Sequence, residues 1–139
     1  MITLPNITNK QQEILNLTYK FRFLNRIQIQ QLLKHKDRRR INTWLKDLVE
    51  KQYLNRIYSN NIGENIKPAI YYASINAIRY YRAIAQSNSY LKKLYHDSKR
   101  SESFIAGQIL IADICLDIIA INNGGKAKLQ HQINREKIR

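Results

Sequence analysis

The sequence predicts a mostly α-helical chain with one small β-hairpin, and three observations predict it. Apolar residues recur at helical spacing in three early segments, carried by Ile14, Leu17 and Phe21, by Ile29, Leu32 and Leu33, and by Ile41, Leu45, Leu48 and Val49. A β-favouring alternation follows at Tyr53–Tyr58, and a second extended segment at Ala69–Ala73, with turn chemistry over Ser59–Asn65 between them. A cation cluster, Lys34, Lys36, Arg38, Arg39 and Arg40, stands where the third helical pattern begins.

Thr8 and Gln11 have the capping-box form, so the first helix should run from about Asn9 to Arg22. Phe23 and Leu24 read as a short extended link. Asn25 and Gln28 repeat the cap pattern and open a short second helix. Asp37 is a good N-cap for the third helix, expected from about Arg38 to Lys51. The hairpin comes directly after it, with Pro68 suited to the start of its second strand. That order is the order of a winged helix-turn-helix.

Ser74 is placed to cap a fourth helix from about Asn76 to Gln86, with Ile78, Tyr81, Ile84 and Ala85 inward. Residues 87–101 are polar and basic and read as partly loop. Ser101 opens a fifth helix, expected to stop near Asn122–Gly125. In the basic tail, Leu129 and Ile133 fit one helical face, and disorder fits the composition equally well. The expected organisation is a winged unit over 1–87, a helical extension over 88–125 that serves dimerisation, and a tail over 126–139.

The 139 residues carry 24 Lys and Arg against 10 Asp and Glu, a formal net charge of +14. Nucleic acid is the first partner class that such a balance suggests, and an anionic membrane surface the second. Cys115 is the one cysteine, so no disulfide within the chain is possible, which fits a reducing cytoplasm. No secretory signal pattern is visible at Met1–Pro5. The run Phe104–Ile121 is long enough to raise a membrane question, but it holds Gln108, Asp113 and Asp117. Carboxylates in mid-span are expensive, so a buried or oligomerising helix is expected and no membrane.

A helix N-terminus is already partly positive, so cations gathered there cost stability that a polyanion offsets. With Ile41, Leu45 and Leu48 inward, the opposite face shows Arg39, Asn42, Thr43 and Lys46, with Arg38 at the tip. Arg reads guanine and Asn reads adenine bidentately in the major groove. Lys34, Lys36 and Arg40 suit phosphates. Arg56 is a further phosphate contact or pairs with a nearby acid. The hairpin tip, Asn60 and Asn61 with Glu64 and Lys67, either meets the backbone through amides or meets nothing. Trp44 reads as core or apolar rim.

Catalytic chemistry is not expected. His35, His96 and His131 are scattered, no His/Cys/Asp spacing suggests a metal site, and no phosphate-cradling loop occurs. Asp113 and Asp117 read as the polar stripe of a helix. Neither cofactor nor metal is expected.

Thr8–Tyr81 resembles the N-terminal domain of the replication-relaxation family of plasmids and mobile elements. The matching residues are Gln11–Leu15, Tyr19–Leu24, Ile29–Leu33, Leu45–Lys51, Tyr53–Leu54 and Pro68–Tyr72, and His96–Ile121 resembles the helical segment after the wing. The resemblance implies a winged helix-turn-helix acting in plasmid replication or DNA relaxation. Gln52 and Ala77 stand where that family usually has glycine, so another residue is expected to take the strained turn after the third helix. Many relatives continue into a larger C-terminal domain, beyond the position of Arg139.

The expected function is double-stranded DNA binding in the replication, relaxation, mobilisation or transcription control of a mobile element. The expected assembly is a homodimer through Ile111, Ile114 and Ile118, with replication or relaxase proteins as further partners. Three rival readings fit the same pattern: a protein-binding winged helix, a small DNA-acting enzyme, and a ligand-responsive repressor with Tyr80, Tyr81 and Tyr90 lining a pocket.

Overall fold

Helix α1 (Asn9–Phe21) begins where the sequence places it, because Thr8 and Gln11 cap each other. The Thr8 hydroxyl accepts the Gln11 N–H at 3.2 Å, and the Gln11 side chain accepts the Thr8 N–H at 2.9 Å. Asn25 and Gln28 build the same box at the start of α2 (Arg26–Leu33), at 2.8 and 3.0 Å. Asp37 caps α3 (Arg38–Glu50), accepting from the N–H groups of Arg39 and Arg40. The computed structural model describes residues 3–57, 68–84 and 88–138.

Both capping glutamines also do tertiary work. The Gln11 amide donates to the Trp44 carbonyl and to Asp47 at 2.8 Å, tying α1 to α3. That hydrogen bond holds the Asp47 carboxyl below its usual range. The Gln28 amide donates to the Ile109 carbonyl at 2.9 Å and to Asp113 at 2.7 Å, tying α2 to the C-terminal helix.

After α3 come β2 (Leu54–Ile57) and β3 (Ile70–Ala73), antiparallel with Arg56 opposite Tyr71. The expected link at Phe23–Leu24 becomes a third strand, β1 (Leu24–Asn25), paired with β3 in the order β1-β3-β2. Two residues are too few to show a strand periodicity. The architecture is a winged helix-turn-helix with a helical extension, mostly α with a small antiparallel sheet.

Helices α1, α2 and α3 are followed by residues with positive φ: Arg22 at 68°, Lys34 at 54° and Gln52 at 59°. Gln52 itself takes the turn that the missing glycine was expected to displace elsewhere. The Tyr53 N–H still reaches the Leu48 carbonyl at 2.9 Å, closing the helix end. A non-glycine residue there costs about 1 kcal/mol or more.

Helix α4 (Ile75–Ile84) follows the sheet. The stretch expected as partial loop is largely ordered: α5 (Asn88–Tyr95) and a 3-10 turn (Asp97–Lys99) fill it. Leu91 and Leu94 supply the apolar positions, three apart, and both are buried. The expected stop at Asn122–Gly125 is corrected as well, since α6 (Glu102–Ile138) is helical across it and through most of the expected tail. Glycine ends a helix only by adopting a left-handed exit; within a helix it merely costs about 1 kcal/mol.

One core runs through the molecule. Ile14, Leu15, Leu24, Ile29, Ile41, Leu45, Leu48 and Tyr53 join Tyr81, Leu91, Leu94 and Ala112 in a single buried cluster, so α5 and α6 pack on the winged unit. The tyrosines are mortar for this core. Tyr81 is 1% exposed, and its hydroxyl lies 2.7 Å from that of Thr18 and 2.5 Å from the Leu15 carbonyl. The Tyr90 hydroxyl donates to the Tyr19 carbonyl, and the Tyr19 ring packs between those of Tyr81 and Tyr90.

Buried Asp97 knots the extension to α1. Arg22 grips it with Nη2 at 2.5 Å and Nε at 3.2 Å, and Arg100 adds Nε at 3.3 Å. Both guanidinium groups also lie over the Phe104 ring, at 4.9 and 5.0 Å from its centre.

Candidate nucleic-acid interface

The buried side of α3 is Ile41, Leu45 and Leu48, as the spacing predicts. Its exposed side divides into two rows. Arg38, Asn42 and Lys46 stand four apart and line a groove of about 940 Å³ between α3 and the sheet. Arg39 and Thr43 form the next row, farther from the sheet. Lys36, Arg38, Arg39 and Asn42 also surround a second concavity at the helix N-terminus. Arg38 is therefore a groove residue as well as the tip of the helix.

The far wall of the groove comes from Leu54, Asn55, Arg56, Pro68, Ala69 and Tyr71. Arg56 stands opposite Tyr71 on the neighbouring strand, and its guanidinium bonds the Tyr71 hydroxyl across the strand pair. Burial pushes that hydroxyl above its ordinary pKa, against the pull of Arg56 and Arg26. Arg26 is the residue that sequence reasoning missed. It is the first residue of α2, it lines the groove, and it hydrogen-bonds Gln30 at 3.2 Å. The signal that marks α3 was present here too: a cation in a first turn with no acidic residue to balance it. Glu50 closes the other end of the groove with a negative charge.

Lys34, Lys36, Arg38, Arg39, Arg40, Asn42, Thr43 and Lys46 are all exposed. Among the described residues, no carboxylate lies within ion-pair distance of Lys34, Lys36, Arg38, Arg39 or Lys46. Arg40 lies 3.8 Å from Asp37, a loose contact at a water-exposed site. Thr43 donates its hydroxyl to the Arg39 carbonyl at 2.9 Å, which leaves it a methyl group and an acceptor to offer a base. Lys34 is the left-handed residue that ends α2.

His35 shapes the turn between α2 and α3. Its Nδ1 accepts the Asp37 N–H at 3.1 Å, and its ring packs edge-on against Trp44 at 5.2 Å. Trp44 is half-buried against the core, the rim position expected of it. Asn60 and Asn61, with Glu64 and Lys67, lie outside the described residues.

Among the described residues no three His, Cys, Asp or Glu side chains gather as a metal site. Asp113 is engaged by Gln28.

No family model matches the chain, and no curated protein matches it. Among solved structures, the crystal structure of the transcriptional regulator SlyA is similar at 19% identity, over 89% of this chain and 80% of that one, with a TM-score of 0.49.

Proposed function

We propose that the chain binds double-stranded DNA, with the N-terminal half of α3 in the major groove and the flanking strand against the groove wall. Arg38, Arg39 and Asn42 face bases, and Thr43 offers its methyl group and acceptor oxygen. Lys34, Lys36, Arg40, Arg26 and Arg56 face phosphates, and Lys46 extends the groove row. One observation carries this reading: exposed cations without carboxylate partners among the described residues crowd the N-terminus of α3, beside a concave wall that adds two more arginines. Folding alone gives no reason to gather them against the helix dipole, whereas a polyanion does.

The biological setting follows the resemblance of Thr8–Tyr81: replication, relaxation or mobilisation of a plasmid or other mobile element, or its transcription control. The protein acts there by binding and not by cutting. The protein-binding rival predicts that the α3 face is dispensable for DNA.

Selection from random duplexes is the test. A preferred site should emerge, and Asn42→Ala should lose about 1–3 kcal/mol on that site while keeping its affinity for unrelated duplexes. Lys36→Ala should weaken binding to all sequences alike. Enrichment of no duplex above background would count against the proposal.

A further inference from the structure

Helix α6 carries apolar side chains on two opposite sides. On one face Ala112 is fully buried against the winged unit, Gln28 grips the Ile109 carbonyl, and Ile105, Ile109 and Leu116, at helical spacing from Ala112, are partly buried. On the far side Ile111, Ile114, Ile118 and Ile121 recur at spacings of three and four, and each is about half exposed or more. That spacing is the seam of a helix pair, and a contiguous exposed apolar stripe marks an interaction surface.

We propose that this stripe pairs with the same stripe of a second copy across a two-fold axis. Charge favours that occupant. No lysine, arginine or histidine occurs from Ser101 to Gly125, where the ionisable side chains are Glu102, Asp113, Asp117 and Cys115. Two chains of net charge +14 repel each other over most of their surface and least along this helix. A two-fold contact is self-complementary, so each copy supplies the apolar stripe that the other needs. DNA phosphates and anionic lipid headgroups find no cation here to meet.

By length and composition Glu102–Asn122 would also cross a membrane, with a mean hydropathy of 2.2. Its inner side, however, is fixed to the winged unit through Gln28 and Asp113. A bilayer could not surround the helix while that face stays packed. The pairing stands on α6 alone. Its consequence, two reading heads on an inverted repeat with half-sites about one helical turn apart or a multiple of that, rests on the DNA reading.

The test uses the full chain without DNA, so its failure is separate from failure of DNA binding. Light scattering at micromolar concentration should give twice the 16.5 kDa chain mass. Ile114→Asp should return the mass to that of one chain with an unchanged circular dichroism spectrum, because Ile114 is only half-buried in the single chain. Independently, in a Cys115→Ser background, at least one of Ile111→Cys, Ile114→Cys and Ile118→Cys should form an inter-chain disulfide. Such a bond needs Cβ atoms about 3.8 Å apart. Ala106→Cys, on the flank of the helix, should form none. A wild-type monomer or higher oligomer would overturn the proposal. So would a dimer that survives Ile114→Asp, the absence of any seam crosslink, or flotation of the wild type with phosphatidylcholine vesicles, which carry no net charge to attract the basic surface.

Discussion

Two groups of arginines in this molecule have opposite surroundings. Arg22 and Arg100 converge on one buried carboxylate, Asp97, and share the face of Phe104. Arg38 and Arg39 stand exposed at the N-terminus of α3 and have no carboxylate partner among the described residues. The first pair is satisfied by the fold. The second is left for something outside it. Within one strongly basic chain, charge count alone says little about partners; what identifies a binding cation is the lack of an internal counter-ion at a place where the helix dipole already opposes it.

The comparison breaks first at the knot. Asp97→Ala should cost about 3 kcal/mol or more, because it leaves Arg22, only 14% exposed, without its counter-charge. Thermal unfolding followed by circular dichroism should show a large drop in Tm, while DNA affinity measured well below that Tm stays near wild type. A Tm within a degree or two of wild type would mean that the knot does not hold the extension.

The second contrast is in alkaline titration. Burial raises the hydroxyl pKa of Tyr81, and in smaller measure those of Tyr90, Tyr72, Tyr71 and Tyr53. A hydroxyl whose folded pKa lies above its unfolded value near 10 contributes stability that is complete below that pH and is lost as pH rises above it. Melting temperature should therefore be flat up to about pH 9.5 and fall beyond it, and Tyr81→Phe should flatten the fall. An identical alkaline fall in Tyr81→Phe would place the titrating group elsewhere.

How much of this was legible in the sequence varies from element to element. The starts of α1, α2 and α3 were readable because caps are local: Thr8, Asn25 and Asp37 act within three residues. Their ends were harder, because Arg22, Lys34 and Gln52 turn the chain at positive φ with no glycine to announce them. Helix α5 hid because its exposed side is polar and its apolar contacts, Leu91 and Leu94, are few. Strand β1 exists only because β3 pairs with it, which no local pattern records. At the candidate interface the α3 face was visible as a charge pattern. The groove was not, because its opposite wall brings Arg26 from α2 and Arg56 from the sheet, and only the fold brings those together with Arg38.

The α3 cations oppose the helix dipole, so replacing Arg38, Arg39 and Lys46 together by alanine should leave stability unchanged or raise it by about 1 kcal/mol. The same triple variant gives the most direct measurement of the central claim. Fluorescence anisotropy of a labelled duplex, titrated with wild type and with the triple variant at several salt concentrations, reports affinity and its salt dependence together. The wild type should bind with a steep linear fall of log affinity against log salt. The variant should bind far more weakly, with a shallower slope, since three cations that displace counterions from the groove are gone while the phosphate-facing cations remain. Equal affinity and equal slope for the two proteins would contradict the account and would move the α3 face from DNA to a protein partner.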